Sequence, residues 1–404
     1  MERRDGIFFG FVLVASAVLS LNASSYWTGD YPVEAGPVID SLVHGHTGEF
    51  LSSRALMGPV SLLLRAPFAA LALLTGGGGA DNLYENAYRF GVFPCVVAGG
   101  LLGVALARIA RRRGYPPAVH YLALVLCTVN PATVKAITYG HPEEILTAAL
   151  VVGAAIAGVY ARPVLAATLL VLGLGTKQWA VLAVIPVVVT MPWKQIRKPL
   201  LVLAGLGLLA VAPIVIAEPS TFTSVQRQLL DVRGAHTFPT SIWWLFERAV
   251  PGEANTVDHQ TPGWVGAVAH PLILVAGVIV PLLLARRVRE DPVRRALALL
   301  ALVMLLRAAL DPVNNSYYHL PFLVALVAAD ALTGSMLASL LATAGLIGLI
   351  QLAGQPRLQA VFYLVWALPF SAYLAGRAWG VDWAALLRSR GVRGRAAAQT
   401  VHPS

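Results

Sequence analysis

A dozen aliphatic runs, separated by connections that gather the arginines, set the limits on this chain. They cover 6–24, 86–107, 117–136, 142–160, 163–176, 178–191, 199–217, 263–285, 296–310, 319–333, 335–352 and 358–376. About 20 apolar residues cross a hydrocarbon layer as one helix. Inside that layer the backbone must satisfy its own hydrogen bonds, which helices do segment by segment. Charged residues make up 12% of the chain, against roughly 25% in a soluble domain. The mean hydropathy is +0.70. These features exclude a soluble globular protein. They predict an all-α polytopic transmembrane bundle of about 12 helices, one integral membrane domain over 1–404.

The formal charge is +10, carried mostly by arginine in short clusters between runs. About two-thirds of the basic residues fall on one side if the N-terminus is cytoplasmic, and most of the acids fall on the other. That asymmetry reads as topology, with both termini inside, rather than as nucleic-acid binding. The segments 25–85 and 218–262 become large extracytoplasmic loops, and 377–404 a basic cytoplasmic tail. Gly6–Leu21 after Arg3 and Arg4 is expected to be an uncleaved first helix, although its layout resembles a signal peptide. Leu56–Leu74 carries Arg65, Pro59 and Pro67, and spanning would force Arg108–Arg113 outside; it reads as an interfacial or re-entrant helix. Val33–His44 reads as a second membrane-hugging helix, and Ile242–Phe246 as an interfacial aromatic patch. Gly76–Gly79 reads as a flexible break.

Ionisable residues at the edge of hydrocarbon are costly unless they have a task. Thr138-Tyr139-Gly140-His141-Pro142-Glu143-Glu144 forms a polar corner between two apolar runs. Helix capping accounts for two acids beside Pro142, but His141, Glu143 and Glu144 together also suit a polar substrate. Asp30 follows the first helix and is either a turn residue or a general base at a cavity mouth. Lys177 lies between two short runs, where helices stop within the membrane or meet at a broken hairpin; snorkelling is one reading, and a bound phosphate the other. Arg307, Asp311, Asn314, Asn315, Tyr317, Tyr318 and His319 are the densest polar group at an outer helix end, with Arg307 and Asp311 placed for a local ion pair. Arg227, Arg233 and His236 are looser candidates whose ordinary solvation is the simpler account. Cys95 and Cys127 read as buried thiols, and neither a metal-ligand spacing nor a phosphate-cradling glycine loop is present.

In this arrangement the chain resembles the GT-C superfamily of polytopic glycosyltransferases, and within it the family 87 mannosyltransferase-like proteins of actinobacteria. The resemblance rests on Asp30 ahead of a long outer loop, on Gly140-His141-Pro142-Glu143-Glu144, on the element from Leu172 through Lys177-Gln178-Trp179 to Pro186, and on Asp311 through His319-Leu320-Pro321. Two positions depart from it: Gln178 stands where proline is usual, and Tyr318-His319 where a histidine pair is common. The resemblance implies an inverting transfer of a hexose such as mannose, or a pentose, from a polyprenyl-phosphate donor to an extracytoplasmic lipid or polysaccharide acceptor at the cell membrane. It implies Asp30 as catalytic base. Lys177, His319, Tyr318, Arg227 and Arg233 would lie around the donor phosphate, and His141, Glu143, Glu144, Asp311 and Asn315 around the sugar or acceptor. The partners are then the donor, a glycolipid or glycan acceptor and the bilayer, with no nucleic acid. No cofactor is implied: the cations are protein-borne, and a divalent ion is compatible but not required. The alternative is a multipass transporter or flippase, disfavoured by the scarcity of charge near mid-membrane and the lack of an internal repeat.

Overall fold

The computed structural model describes residues 3–24, 30–53, 57–75, 79–191, 197–251, 257–381 and 383. The residues just before Asp30, Gly76–Gly78 of the expected break, and the basic tail from 384 onward lie outside them. Every aliphatic run is helical. The first helix, α1 (Arg3–Leu21), leads to the short α2 (Asp30–Val33), α3 (Gly36–Val43), α4 (Thr47–Ser52) and α5 (Pro59–Ala69), and a 3-10 turn continues α5 to Thr75. Next come α6 (Gly79–Arg112), α7 (Pro117–Thr128), α8 (Pro131–Thr138), α9 (Glu143–Val159) and α10 (Pro163–Leu174). A 3-10 turn (Gln178–Ala183) runs into α11 (Val184–Val189), followed by α12 (Arg197–Ala217) and α13 (Pro219–Leu230). An antiparallel hairpin, β1 (Arg248–Pro251) and β2 (Val257–Gln260), pairs Arg248 with Gln260 and precedes α14 (Gly263–Glu290). The chain closes with α15 (Pro292–Leu310), α16 (Leu320–Thr333), α17 (Leu337–Gln351) and α18 (Pro356–Trp379).

Helices that are apolar all round belong at the centre of a bundle. Leu297–Leu305 of α15 and Leu320–Leu332 of α16 are continuously buried, and α9 packs against both. By contrast α1, α14 and α18 expose large aliphatic side chains such as Val14, Leu283 and Val365, a surface suited to lipid. Five described helices are long and apolar enough to cross a membrane, beside several shorter apolar ones. The protein is an integral membrane protein.

Local chemistry explains where elements stop. The 117–136 run is broken at Pro131, and Asn130 caps the new helix by accepting from the Thr133 amide at 2.9 Å. Proline has no amide to offer and clashes with the preceding turn, which ends α7. The pair α10 and Gln178–Val189 is the broken hairpin expected around Lys177. On α3, Val38 and Ile39 are buried, while Asp40 and His44 are exposed, as the spacing predicts. One expectation changes. Trp243 and Trp244 are buried: the Trp243 indole donates to the Leu310 carbonyl at 2.6 Å, and Trp244 stacks on His259. Only Leu245 and Phe246 of that patch are exposed. In the 56–74 run, α5 packs on α6 and buries Arg65 completely.

Candidate active site

The polar corner is built by a helix terminus. The amide of Gly140 donates to the Ile137 carbonyl at 3.2 Å, and that of His141 to the Ala136 carbonyl at 2.8 Å. This Schellman arrangement needs a left-handed residue, and Gly140 has φ +85°. The reversal turns His141 back over α8 and starts α9 at Glu143 and Glu144. Both acids are buried, Glu143 with none of its side chain exposed.

Glu143 is the hub of an ionic cluster. Its Oε1 accepts from His141 Nδ1 at 3.0 Å and from Lys177 Nζ at 2.9 Å, and its Oε2 from Arg65 Nη1 at 3.3 Å. The other nitrogen of His141, Nε2, lies 3.1 Å from Asp30 Oδ2. An imidazole that meets carboxylate oxygens at both nitrogens donates from both, and is therefore an imidazolium. Burial and the Lys177 charge oppose that state, but the hydrogen bonds to Asp30 and Glu143 outweigh them and push the His141 pKa up to about 9. Asp30 ends this chain of charges with 42% of its side chain exposed. It is the member of the chain best placed to meet a substrate.

Lys177 reaches the cluster because its turn is clamped. Gly58 donates to the Thr176 carbonyl at 2.9 Å, and Val60 to the Gly175 carbonyl at 2.8 Å, so the start of α5 lies against the turn like a short β-pair. A Cβ on Gly58 would sit 2.2 Å from the Gly175 carbonyl oxygen, so only glycine allows this approach. The clamp brings Arg65 and Lys177 onto the same carboxylate. The counter-ions of Lys177 within the protein are Glu143 and, at 3.9 Å, Glu144. Burial opposes the ammonium, but these carboxylates raise its pKa above the ordinary lysine value. Glu34, half-buried nearby, is held above the usual carboxylate range by burial, against the pull of Lys177 and His141.

Arg307 differs from the expected local ion pair. Asp311 instead faces His270 at 3.5 Å and accepts from the Val313 amide. The Arg307 guanidinium lies between the Trp179 and Tyr318 rings, 5.0 and 4.6 Å from their centroids. Its one hydrogen bond among the described residues goes to the Tyr318 carbonyl at 3.3 Å, and no described carboxylate lies within ion-pair distance. It is only 7% exposed. A buried guanidinium with no counter-charge is expensive, and stacking offsets part of that cost. Trp179 ties this cation to the cluster by donating to Glu144 Oε2 at 2.8 Å. Tyr317 stacks on His141 at 5.0 Å and completes the wall.

The other expected residues have different surroundings. Both ring nitrogens of His319 have protein partners, the Ser316 carbonyl at 3.1 Å and the Tyr363 hydroxyl at 3.3 Å, and the residue is fully buried. Asn314 bonds the Thr240 carbonyl, and Asn315 accepts from the Ser316 amide. Arg233 pairs with Asp231, His236 with Asp258, and Arg227 is exposed at the end of α13. None of these three contacts the Glu143 cluster. Sequence reasoning missed Arg65 and Trp179; the one signal for Arg65 was a lone charge in a 19-residue apolar run.

Against Tyr31, a cavity of about 300 Å³ opens between α3, α6 and the 3-10 turn after α5, lined also by Pro37, Ile39, Ala72, Leu73 and Tyr84 among others. Its apolar walls fit a hydrocarbon chain.

Comparison with curated proteins finds no match to the chain. The model of glycosyltransferase family 87 matches residues 56–310, a segment that holds Arg65, His141, Glu143, Glu144, Lys177 and Arg307, with Asp30 ahead of it and Asp311 and His319 behind it. A buried ionic cluster within a bundle of apolar helices thus coincides with a match over more than half the chain, and the protein belongs to glycosyltransferase family 87.

Proposed function

We propose that the protein moves a sugar from a polyprenyl-phosphate donor to a hydroxyl of a lipid or polysaccharide acceptor, with inversion, at the extracytoplasmic face of the cell membrane. The observation that carries this reading is the charge chain Asp30–His141–Glu143, backed by Lys177 and Arg65 and, among the described residues, most exposed at its Asp30 end. In the reaction the acceptor oxygen attacks C1 of the sugar. Asp30 takes the hydroxyl proton, and the C1–O bond to the lipid phosphate breaks with its electron pair on phosphate. His141 is a positioning residue: its imidazolium fixes the Asp30 carboxylate and is itself fixed by Glu143.

The departing phosphate gains charge and needs cations that are already oriented. Arg307 is the one that best fits, being buried, stacked and without a carboxylate partner among the described residues. Tyr318 stacks on Arg307, and Lys177 is linked to the same wall through Glu144, which also holds Trp179. Glu144 aligns Trp179 and Lys177 beneath this cation pair. His319 and Asn314 brace the wall behind it. The apolar cavity beside Tyr31 takes the lipid portion of one substrate.

The test is turnover in proteoliposomes with a panel of polyprenyl-phosphate hexoses and pentoses. Asp30→Asn keeps the size and the hydrogen bond to His141 but cannot take a proton. Its turnover should fall by about 10²- to 10⁴-fold while the protein stays folded. Wild-type turnover in this variant overturns the assignment.

A further inference from the structure

A second polar cavity lies far from this site. Its walls are Asp5 of α1 and Arg108, Arg111 and Arg112 of α6, and they enclose about 570 Å³. Asp5 accepts from Arg108 Nη2 through Oδ2 and from Arg111 Nη2 through Oδ1, both at 3.1 Å. Among the described residues that line the cavity, Asp5 is the carboxylate beside three guanidiniums. Arg112 is exposed and has no ion-pair partner among the described residues. Arg108 stacks its guanidinium over Phe9 at 5.2 Å, and its Nε is buried with no hydrogen-bond partner. The cavity therefore has surplus positive charge, fork-shaped donors held in place, and one donor left over.

Its position indicates which anion. Arg108 lies about twenty residues along α6 from Tyr88, a rise of roughly 30 Å, or one hydrocarbon thickness. Tyr88 packs on Tyr31 beside Asp30, so the arginine cavity sits at the opposite membrane boundary. Beside it α1 exposes Ile7, Leu13 and Val14, an aliphatic surface on which acyl chains can lie. Phe8 and Val12 of the same helix are buried against Val104, Ala107 and Leu124 of α6 and α7, so α1 is anchored and its lipid-facing stripe is fixed.

We propose that Asp5, Arg108, Arg111 and Arg112 form a binding site for the phosphodiester headgroup of an anionic phospholipid. Arginine forks match the oxygens of a phosphodiester. Asp5 holds two of the arginines apart and oriented, and Arg112 supplies a charge that no described carboxylate pairs with. The lipid joins α1 to the end of α6 and so clamps the bundle on the side away from the transfer site.

Native mass spectrometry of the detergent-purified full chain tests this with dioleoylphosphatidylglycerol against dioleoylphosphatidylcholine. The wild type should retain the anionic lipid in preference. Each arginine charge near a headgroup is worth about fivefold in affinity. Arg112→Gln breaks no ion pair among the described residues and should lower the preference about fivefold with an unchanged melting temperature. The double variant Arg108→Gln/Arg112→Gln should lower it about 25-fold. Equal retention of both lipids by the wild type, or an unchanged preference in Arg112→Gln, overturns the proposal. So does displacement of the lipid by excess inorganic phosphate, since the ligand is then the free anion.

Discussion

Replacing Glu143 with glutamine removes the charge at the centre of the cluster while keeping its shape. Glu143 answers Arg65, Lys177 and His141 at 3.3, 2.9 and 3.0 Å. Lys177 also has Glu144, and His141 also has Asp30, but Arg65 has no second carboxylate among the described residues and no exposed surface. Breaking a buried ion pair from one side leaves an uncompensated charge and costs about 3–5 kcal/mol. Glu143→Gln should therefore lower the melting temperature in detergent by roughly 10 °C, at a few degrees per kcal/mol. Arg65→Met is milder, because Glu143 keeps Lys177 and His141. In the double variant no guanidinium is left stranded, so its loss should fall short of the sum of the singles by about 2 kcal/mol. A double-mutant cycle by thermal unfolding measures this. Additive losses, or a Glu143→Gln protein that melts with the wild type, would refute the claim that Glu143 holds Arg65 in the membrane.

The remaining predictions use the same framework. Arg307→Lys keeps the charge but loses the flat stack between Trp179 and Tyr318; kcat/KM for the lipid-phosphate donor should fall about 10- to 100-fold at near-normal stability, and an unchanged value removes Arg307 from the phosphate site. His141 has its folded pKa raised to about 9 from an ordinary 6.5, so its contribution to stability is complete below about pH 6.5 and lost as pH rises through 9. Melting temperature should decline over that window in the wild type, and His141→Gln should flatten the decline; a variant that keeps the wild-type profile shows that another group titrates there. Gly58→Ala forces a methyl group against the Gly175 carbonyl and should separate α5 from the Lys177 turn, lowering both melting temperature and turnover. A fully active, equally stable Gly58→Ala protein would show that the clamp does not set the site.

Periodicity and capping made much of this protein legible in its sequence. The aliphatic runs fix an all-helical membrane bundle because backbone in hydrocarbon has few other ways to satisfy its hydrogen bonds. Gly140 and Pro142 mark the corner at which His141, Glu143 and Glu144 gather, because a left-handed residue followed by a helix start is a local event. Short runs on either side of Lys177 announce a break for the same reason. Family likeness was legible as well, in four motifs of which two, Gly140–Glu144 and Leu172–Pro186, lie within the match over 56–310.

Pairings between distant residues were decided only by the tertiary structure. Arg65 and Glu143 are 78 residues apart, and nothing in the local pattern of either shows that a Gly58–Thr176 contact joins them. A buried Lys177 needs a counter-charge, and the packing of α9 against the Lys177 turn supplies Glu143 and Glu144. Arg307 and Asp311 have the spacing of a helical ion pair, yet the helix ends at Leu310; the carboxylate then turns to His270 while the guanidinium stacks between rings. Local sequence sets which groups must find partners, because desolvation acts on each residue where it stands. The choice of partner depends on which helices meet, and that is settled by the packing of the whole bundle.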